Sequence, residues 1–218
     1  MSNMIQFAVP GKHPPDKEAD HRIANSLSAI SGLVRMKASH ANGEDIRQTL
    51  LDVAGRIEAV ARLHRMLAHA SRTAVPLRQF LRDVCAAMKT TVADGLVKIT
   101  VSCADELTLP PQQALWLGLL IAELLSNSIK YAHPTGLPTI ITLGCDREHD
   151  GSFTFWFEDD GIGLPENFDP TSGDSLGMKI VQSLSQQLCG QFEWQDIGIG
   201  LRFTCRFPAG MRAGGDGP

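Results

Sequence analysis

Three polar residues on one predicted helix have the types and the spacing to hold phosphate groups. Between Pro111 and Ala132, Glu123, Asn127 and Lys130 follow each other at intervals of four and three. This spacing places all three on one helical face. An acid, an amide oxygen and a lysine suit a magnesium ion and its phosphates, because Mg²⁺ takes hard oxygen ligands and lysine sets a charge beside phosphate. A solvated face of an amphipathic helix explains this segment equally well.

The stretch from Glu158 to Pro165 places two acids and two glycines directly after a predicted strand. Asp159 can accept a hydrogen bond from an exocyclic amine such as that of adenine. Gly161 and Gly163 lack a Cβ and permit positive φ, so they would let the backbone approach a ligand. Alternatively, the stretch is an ordinary Asp-Gly surface turn.

Two further glycine segments follow. Gly177 stands at the start of a predicted helix over 174–189, where backbone N–H groups can bind an anion. An ordinary capped helix start is the alternative. Gly198 and Gly200 precede the last predicted strand, and their alternative interpretation is a hairpin turn.

The first part of the chain is predicted to be a helical hairpin. Its first helix, over about 16–40, carries apolar residues spaced four, three and four, and the second, over about 44–71, continues the same pattern. The short turn at Ala41-Asn42-Gly43 predicts antiparallel packing. Each helix has an apolar stripe wider than one partner covers, so we expect two copies to pair into a four-helix bundle. The stripe of the first helix consists of Ile23, Leu27, Ile30 and Val34.

The rest of the chain is predicted to be an α+β domain, with helices packed on a mixed or antiparallel sheet. We expect a flexible tail at 1–15, the hairpin domain at 16–73, a hinge at Ala74-Val75-Pro76, the α+β domain at 76–208 and a disordered tail at 209–218. Predicted helices cover 76–92, 111–132 and 174–189, and predicted strands cover 97–102, 107–109, 139–145, 152–157, 191–195 and 201–207.

Composition excludes several classes of function. The 218 residues carry a formal net charge of −4, which argues against a nucleic-acid-binding surface. The five cysteines are odd in number and widely spaced, without a Cys-x-x-Cys pair, so we expect reduced core thiols rather than a metal site or a disulfide framework. No signal peptide or apolar run of membrane-spanning length occurs. We therefore expect a cytoplasmic protein with no membrane partner.

The order of these segments resembles the ATP-binding domain of the GHKL superfamily, over about 76–208. Asn127 matches the magnesium-binding asparagine of its N box. Asp159, Gly161 and Gly163 match the G1 box, whose aspartate binds the adenine amine, and Gly177 matches the G2 box. The resemblance implies ATP and Mg²⁺ as ligands. Further nucleotide contacts are expected at positions within or beside these boxes, namely Lys130, Tyr131 and Leu176.

The hairpin resembles the phosphoacceptor region of HWE-type and closely related HisKA_2-like histidine kinases. Residues 18–27, Glu-Ala-Asp-His-Arg-Ile-Ala-Asn-Ser-Leu, are similar to their H box. Residues 63–67 resemble the end of their second helix, and Trp156-x-Glu158 fits the signature of the class. The chain departs from the common pattern at three positions that lie near the expected phosphates, acceptor or adenine: Ala24, Ala122 and Leu201.

The resemblance implies a phosphoryl transfer. His21 would attack the γ-phosphoryl group of ATP through a ring nitrogen. Asp20 or Glu18 would orient the ring or take the proton of the other nitrogen, and Arg22 would favour the incoming group. Asn127 would hold magnesium, and Glu123 would either support the ligands of the metal without binding it directly or act as a base. The phosphoryl group would pass to an aspartate of a response-regulator receiver domain docked on the hairpin.

Three other functions stay open. The chain could be a histidine phosphotransfer protein with a degenerate ATP-binding domain, a nucleotide-binding regulator of the anti-sigma kinase type, or a plain ATPase of the gyrase type. The matched box residues argue against the first, the H box against the second and the hairpin against the third. The tail before His21 is too short for a sensor domain, so we expect regulation by a separate protein or by expression.

Overall fold

The computed structural model describes residues 17–68, 74–89, 95–164 and 176–210, with side chains from His21 onward. The predicted N-terminal tail and residues 165–175 lie outside the described residues, as do residues 211–218 of the predicted C-terminal tail.

The first two helices form the predicted antiparallel hairpin. Helix α1 covers Lys17–Ser39 and helix α2 covers Glu44–Ala68. Small side chains fill the space between them, and Ser31 Oγ donates a hydrogen bond of 2.9 Å to the carbonyl oxygen of Ala54. Because these residues are small, the two helices approach closely. The buried small residues of the hairpin are Ala24, Ser31, Ala38, Ala54 and Ala61.

The second part is the predicted α+β domain. The elements are β1 (Val75–Pro76), α3 (Leu77–Lys89), β2 (Val97–Cys103), β3 (Thr108–Leu109), α4 (Pro111–Tyr131), β4 (Thr139–Arg147), β5 (Phe153–Asp159), α5 (Leu176–Gln187), β6 (Gln191–Asp196) and β7 (Leu201–Phe207). The central five-stranded sheet has the order β2-β4-β5-β7-β6, in which β2 and β4 are parallel and the other neighbours antiparallel.

Two residues of the predicted hinge are part of this domain. Val75 and Pro76 form strand β1, which pairs with β3. Val75 is buried and belongs to the hydrophobic core. The fold of the second domain therefore begins at Val75.

Burial alternates along β5, so that one face of the strand points to the core and the other does not. Phe153, Phe155 and Phe157 face the core, where they meet the apolar side of α4. Asp159 continues this inward series at the end of the strand. The alternation thus carries one carboxylate to the helix-covered face of the sheet, at its edge.

The hairpin contributes to the same core through the C-terminal half of α2. Leu63 is buried within the core of the α+β domain. It lies directly over Gly118 of α4, where a Cβ would come within 2.7 Å of Leu63 Cδ2. The absence of a side chain at Gly118 therefore lets α2 pack closely on α4.

The cysteines are free thiols, and four of the five are buried as expected. Burial raises the pKa of the Cys85 thiol to about 12. Cys189 differs from the expectation of core thiols, because it lies exposed in the turn after α5. No helix within the described part of the chain is long and apolar enough to cross a membrane.

Candidate functional site

A cleft of about 580 Å³ lies where α2, α4, the end of β5 and the start of α5 meet. One end is apolar, with Trp194 packed edge-on against Phe203 at a centroid distance of 4.8 Å. The other end is polar and lies against α2. The cleft is lined by Thr49, Asp52, Arg56, Leu124, Asn127, Ser128, Lys130, Tyr131, Ala132, Pro134, Phe157, Asp159, Ile162, Gly163, Leu164, Leu176, Gly177, Met178, Trp194 and Leu201.

Asp159 is fixed at the apolar end of the cleft. It is only 9% exposed. Ser128 Oγ donates a hydrogen bond of 2.6 Å to Oδ2, and the backbone N–H of Gly161 donates one of 3.1 Å to Oδ1. A carboxylate held in this way between apolar walls can accept a hydrogen bond from the amine of a flat, largely apolar ring.

Asp160, the next residue, is not among the residues that line the cleft. Its Oδ1 accepts a hydrogen bond of 2.8 Å from the backbone N–H of Ile140 and lies 3.0 Å from His133 Nε2. Burial opposes the charged form, but these hydrogen bonds hold the pKa of the Asp160 carboxyl below its ordinary value. Asp160 thus ties the turn to the neighbouring strand.

Gly161 of this turn allows two segments of the backbone to pack closely. A Cβ on Gly161 would come within 2.5 Å of Ala132 Cα at the end of α4, and the next residue, Ile162, donates a backbone hydrogen bond of 3.0 Å to the Ala132 carbonyl oxygen. Gly161 thus permits close packing on α4, and its predicted approach to a ligand stays a prediction. Gly163 does line the cleft, at φ +74°.

The polar face of α4 (Glu123, Asn127 and Lys130) is only partly solvated, because Lys130 is exposed whereas Glu123 is buried. Glu123 is 4% exposed, and both of its carboxylate oxygens accept hydrogen bonds from Arg56 of α2, at 2.9 and 2.8 Å. The hydrogen bond to Glu123 raises the pKa of Arg56 above its ordinary value. Lys130 Nζ lies 2.7 Å from Asp52 Oδ1, also on α2.

Asn127, between these two ion pairs, has unused hydrogen-bonding capacity. Its Nδ2 is one of two buried side-chain polar atoms without a partner in the described part of the chain. The start of α5 lies against it, because a Cβ on Gly177 would come within 3.3 Å of Asn127 Oδ1 and 2.6 Å of Glu123 Oε1. An amide oxygen here fits magnesium, which commonly takes one or two protein oxygens and completes its shell with water and phosphate.

The remaining predicted site residues lie at the rim or elsewhere. Tyr131 and Leu176 are exposed and line the mouth of the cleft. His21 and Arg22 are exposed on α1, which contributes none of the described residues that line the cleft. The side chain of Asp20 lies outside the described residues. The structure therefore brings the predicted nucleotide-binding residues together and leaves the predicted acceptor on another surface.

Sequence reasoning missed Ser128, Asp52 and Arg56. Ser128 follows the predicted site residue Asn127 directly, but serine is too common in helices to single out. Asp52 and Arg56 are four residues apart with opposite charges, which is typical of a solvent-exposed pair within one helix. Only the packing of α2 on α4 shows that each of them has its partner on the other helix.

Comparisons with known proteins agree with this arrangement. A model of the family described as "Histidine kinase" matches residues 18–92. A model described as "Histidine kinase-, DNA gyrase B-, and HSP90-like ATPase" matches residues 112–211. The two matches together cover the hairpin and most of the α+β domain.

Two curated relatives match most of this chain. The chain is 28% identical over 196 residues to blue-light-activated histidine kinase 2 of Erythrobacter litoralis, with 88% of this chain and 56% of that protein covered. It is 27% identical over 213 residues to the sensor histidine kinase PdtaS of Mycobacterium tuberculosis, with 94% and 41% covered. The chain thus spans about half the length of the curated relatives it matches.

Among solved structures, the histidine kinase domain of a blue-light activated histidine kinase from Erythrobacter litoralis has the same fold. The TM-score is 0.65 at 24% sequence identity, over 88% of this chain and 96% of that chain. The likeness includes the hairpin and the α+β domain, which confirms the predicted fold class.

Proposed function

Because the chain belongs to the histidine kinases, we propose that it binds Mg-ATP, phosphorylates itself on His21 and passes the phosphoryl group to an aspartate of a response-regulator receiver domain. The cleft on α4 carries this proposal. It joins a fixed carboxylate at an apolar end, suited to adenine, to an amide and a lysine at a polar end, suited to phosphates. The chemistry of the two ends matches the two ends of ATP.

Each cleft residue has a defined task in binding. Asp159, held by Ser128, accepts the hydrogen bond of the adenine amine. Lys130 places a positive charge beside the phosphates. Asn127 supplies an amide oxygen to magnesium, whose role when bound is to neutralise phosphate charge.

The transfer itself uses residues of α1. A neutral His21 ring nitrogen attacks the γ-phosphorus, an N–P bond forms, and the bond from the γ-phosphorus to the bridging oxygen breaks to release ADP. Asp20 orients the ring or accepts the proton from the other ring nitrogen. Arg22, the next residue along the chain, attracts the incoming phosphoryl group. Since no described α1 residue lines the cleft, transfer requires either a rearrangement that brings His21 to the γ-phosphoryl group or the His21 of a second copy of the chain.

The exposed surface of α1 supports both proposed protein contacts. His21 is exposed, so a receiver domain can reach it. Apolar side chains on the same helix are also exposed, and a second copy of the chain would cover them. These side chains are Ile23 (45% exposed), Ile30 (46%), Leu33 (58%) and Met36 (52%).

The test is incubation with γ-labelled ATP and magnesium. We expect acid-labile label on the wild-type chain, none on His21→Gln and strongly reduced label on Asn127→Ala. His40→Gln is the matched control, because His40 is an exposed histidine at the other end of α1 and its ring bonds only local groups of that helix. Addition of a receiver domain should remove the label from the chain.

The other outcomes identify the alternatives. Absence of label on a chain that accepts phosphoryl groups from a phosphorelay protein would indicate a histidine phosphotransfer protein. Label that survives His21→Gln would exclude His21 as the acceptor. ATP hydrolysis without any labelled chain would favour a plain ATPase.

A further inference from the structure

We propose that α2 of the hairpin completes the nucleotide site, and that Asp52 and Arg56 set its affinity for ATP in opposite directions. The two residues are called here the α2 charge pair. Asp52 competes with the phosphates for Lys130, whereas Arg56 neutralises Glu123 and keeps that carboxylate from repelling them. This inference rests on the proposed function, because it takes the cleft to be an ATP site.

The contacts of the α2 charge pair are specific to the polar face of α4. Asp52 and Arg56 are four residues apart, about one helical turn. Lys130 and Glu123 are seven apart, about two turns of α4. Asp52 pairs with Lys130, and Arg56 pairs with Glu123. Both ion pairs therefore form in the same packing of α2 on α4.

The four charges occupy the place where phosphates would lie. Asp52, Arg56 and Lys130 line the nucleotide cleft, and these three together with Glu123 line a second cavity of about 350 Å³ between α2, α4 and α5. They therefore form the wall between the two spaces. A triphosphate that reaches Asn127 must approach this wall closely.

Asp52 is poised to oppose binding. Its carboxylate is already 2.7 Å from the only cationic group on the polar face of α4. Incoming phosphates must separate Lys130 from Asp52 or lie beside an uncompensated negative charge. Both groups are about one-third exposed, so the pair is weak enough for phosphates to displace.

Arg56 acts in the opposite direction through Glu123. Glu123 is almost completely buried beside Gly177, at the start of the helix where an anion would bind. Its bidentate bonds to Arg56 cancel a buried negative charge there. Loss of one partner from a buried pair leaves the other charge uncompensated, which is more costly than loss of both.

The first experiment measures the dissociation constant of a non-hydrolysable Mg-ATP analogue by calorimetry on the full chain. Asp52→Asn should bind about threefold to fivefold tighter, because Lys130 becomes available. Asp45→Asn, the same charge change two turns earlier on α2, should not change affinity. In a Lys130→Met background, Asp52→Asn should hardly change the affinity for the analogue, since there is no Lys130 for which Asp52 and the phosphates can compete.

The second experiment tests Arg56. Arg56→Gln should weaken binding by about tenfold, because the buried Glu123 then repels the phosphates. The double variant Arg56→Gln/Glu123→Gln should recover most of the affinity. Arg47→Gln, which breaks an exposed pair with Glu44 on the same helix, is the control for loss of an arginine.

The result that overturns the inference is clear for each variant. If Asp52 served only to pack the two domains together, Asp52→Asn would bind the Mg-ATP analogue with lower or unchanged affinity. Either result rejects the proposal. Failure of Glu123→Gln to restore Arg56→Gln rejects the Arg56 part. Tight analogue binding without label on His21 would reject the kinase function. The affinities of the Asp52 and Arg56 variants for the analogue would still test the role of the α2 charge pair. Absence of analogue binding by the wild-type chain rejects both proposals.

Discussion

At the scale of single residues, three consecutive acids have three different surroundings. Glu158 lies on the outer face of the sheet and accepts a hydrogen bond of 2.6 Å from Arg202 Nε. Asp159 points into the cleft with support from Ser128. Asp160 is tied to the backbone of Ile140. Strand alternation and one following turn therefore give identical chemical groups distinct tasks.

Asp159→Asn should weaken ATP binding much more than Asp160→Asn. The amide replaces an acceptor oxygen at the adenine amine, and loss of a hydrogen bond to a charged group costs about 1.5–3 kcal/mol, or roughly tenfold or more in affinity. Titration with Mg-ATP measures both variants. Equal losses would mean that Asp159 is not the adenine-binding acid.

Ser128→Ala should lower ATP affinity severalfold, because Asp159 Oδ2 loses its 2.6 Å hydrogen bond and the carboxylate can rotate. A single hydrogen bond of this kind contributes about 1 kcal/mol. Ser185→Ala is the control, since Ser185 is also buried but its side-chain hydrogen bonds, to the Val181 carbonyl and with the Cys205 thiol, involve no residue that lines the cleft. A decrease in ATP affinity of similar size in both variants would contradict a specific role for Ser128.

At the scale of elements, the turn between β6 and β7 supports the site from behind. Gly200 has a φ of +102°, and a Cβ there would come within 1.7 Å of the Asp159 carbonyl oxygen. Gly198, two residues earlier, also has positive φ but nothing within 4 Å. The hairpin-turn interpretation therefore holds for the segment, while Gly200 is in addition a packing partner of Asp159.

Gly200→Ala should decrease the free energy of unfolding by about 3 kcal/mol or more, since both backbone strain and a clash with the chain add up. Gly198→Ala should cost only about 1–2 kcal/mol, from the positive φ alone. Urea titration measures both, and Gly200→Ala should also lose ATP affinity. Similar unfolding free energies for the two variants would show that β7 shifts to accommodate the methyl group.

Periodicity in the sequence predicts the elements well, because helix and strand patterns are local. The hairpin and the alternating strand β7 were predicted from spacing, and α4 and β5 were also predicted close to their observed bounds. The polar face of α4 stayed ambiguous, since a buried ion pair and a solvated charge look alike until the partner is known. Arg56 precedes Glu123 by 67 positions, and such a distant pairing leaves no periodic pattern.

The site was only partly predictable for the same reason. Asp159, Gly163 and Gly177 could be placed from the order of the boxes, and all three line one cleft. The contribution of α2 to that cleft depends on how the two domains pack. This packing includes the close contact of Leu63 with Gly118, and no local pattern in the sequence pairs these two residues.

At the scale of the whole molecule, the exposed apolar side chains of α1 (Ile23, Ile30, Leu33 and Met36) predict self-association. Leu33→Lys should shift the chain toward monomers, because it places a charge in the proposed contact between copies. Leu96→Lys, at a residue 41% exposed on the other domain, is the matched control. Sedimentation over a range of concentrations measures both, and unchanged association of Leu33→Lys would exclude this face as the contact.

The cysteines give a global probe of packing. At pH 8 a thiol reagent should label one cysteine rapidly, Cys189, because it alone among the five is exposed. Burial raises the pKa of the Cys205 thiol to about 11, so that this group stays protonated and shielded in the folded chain. Five labels should appear after unfolding, and Cys189→Ser should remove the rapid one. More than one rapid label in the native state would contradict this packing.

The contact between Leu63 and Gly118 also determines the order of assembly during translation. The hairpin leaves the ribosome first, and its bonds, such as that from Ser31 to Ala54, join residues already synthesised. The end of α2 cannot finish folding then, since the surface that receives Leu63 is synthesised only with α4. Until Gly118 is synthesised, the end of α2 therefore lacks the surface that buries Leu63 in the folded chain.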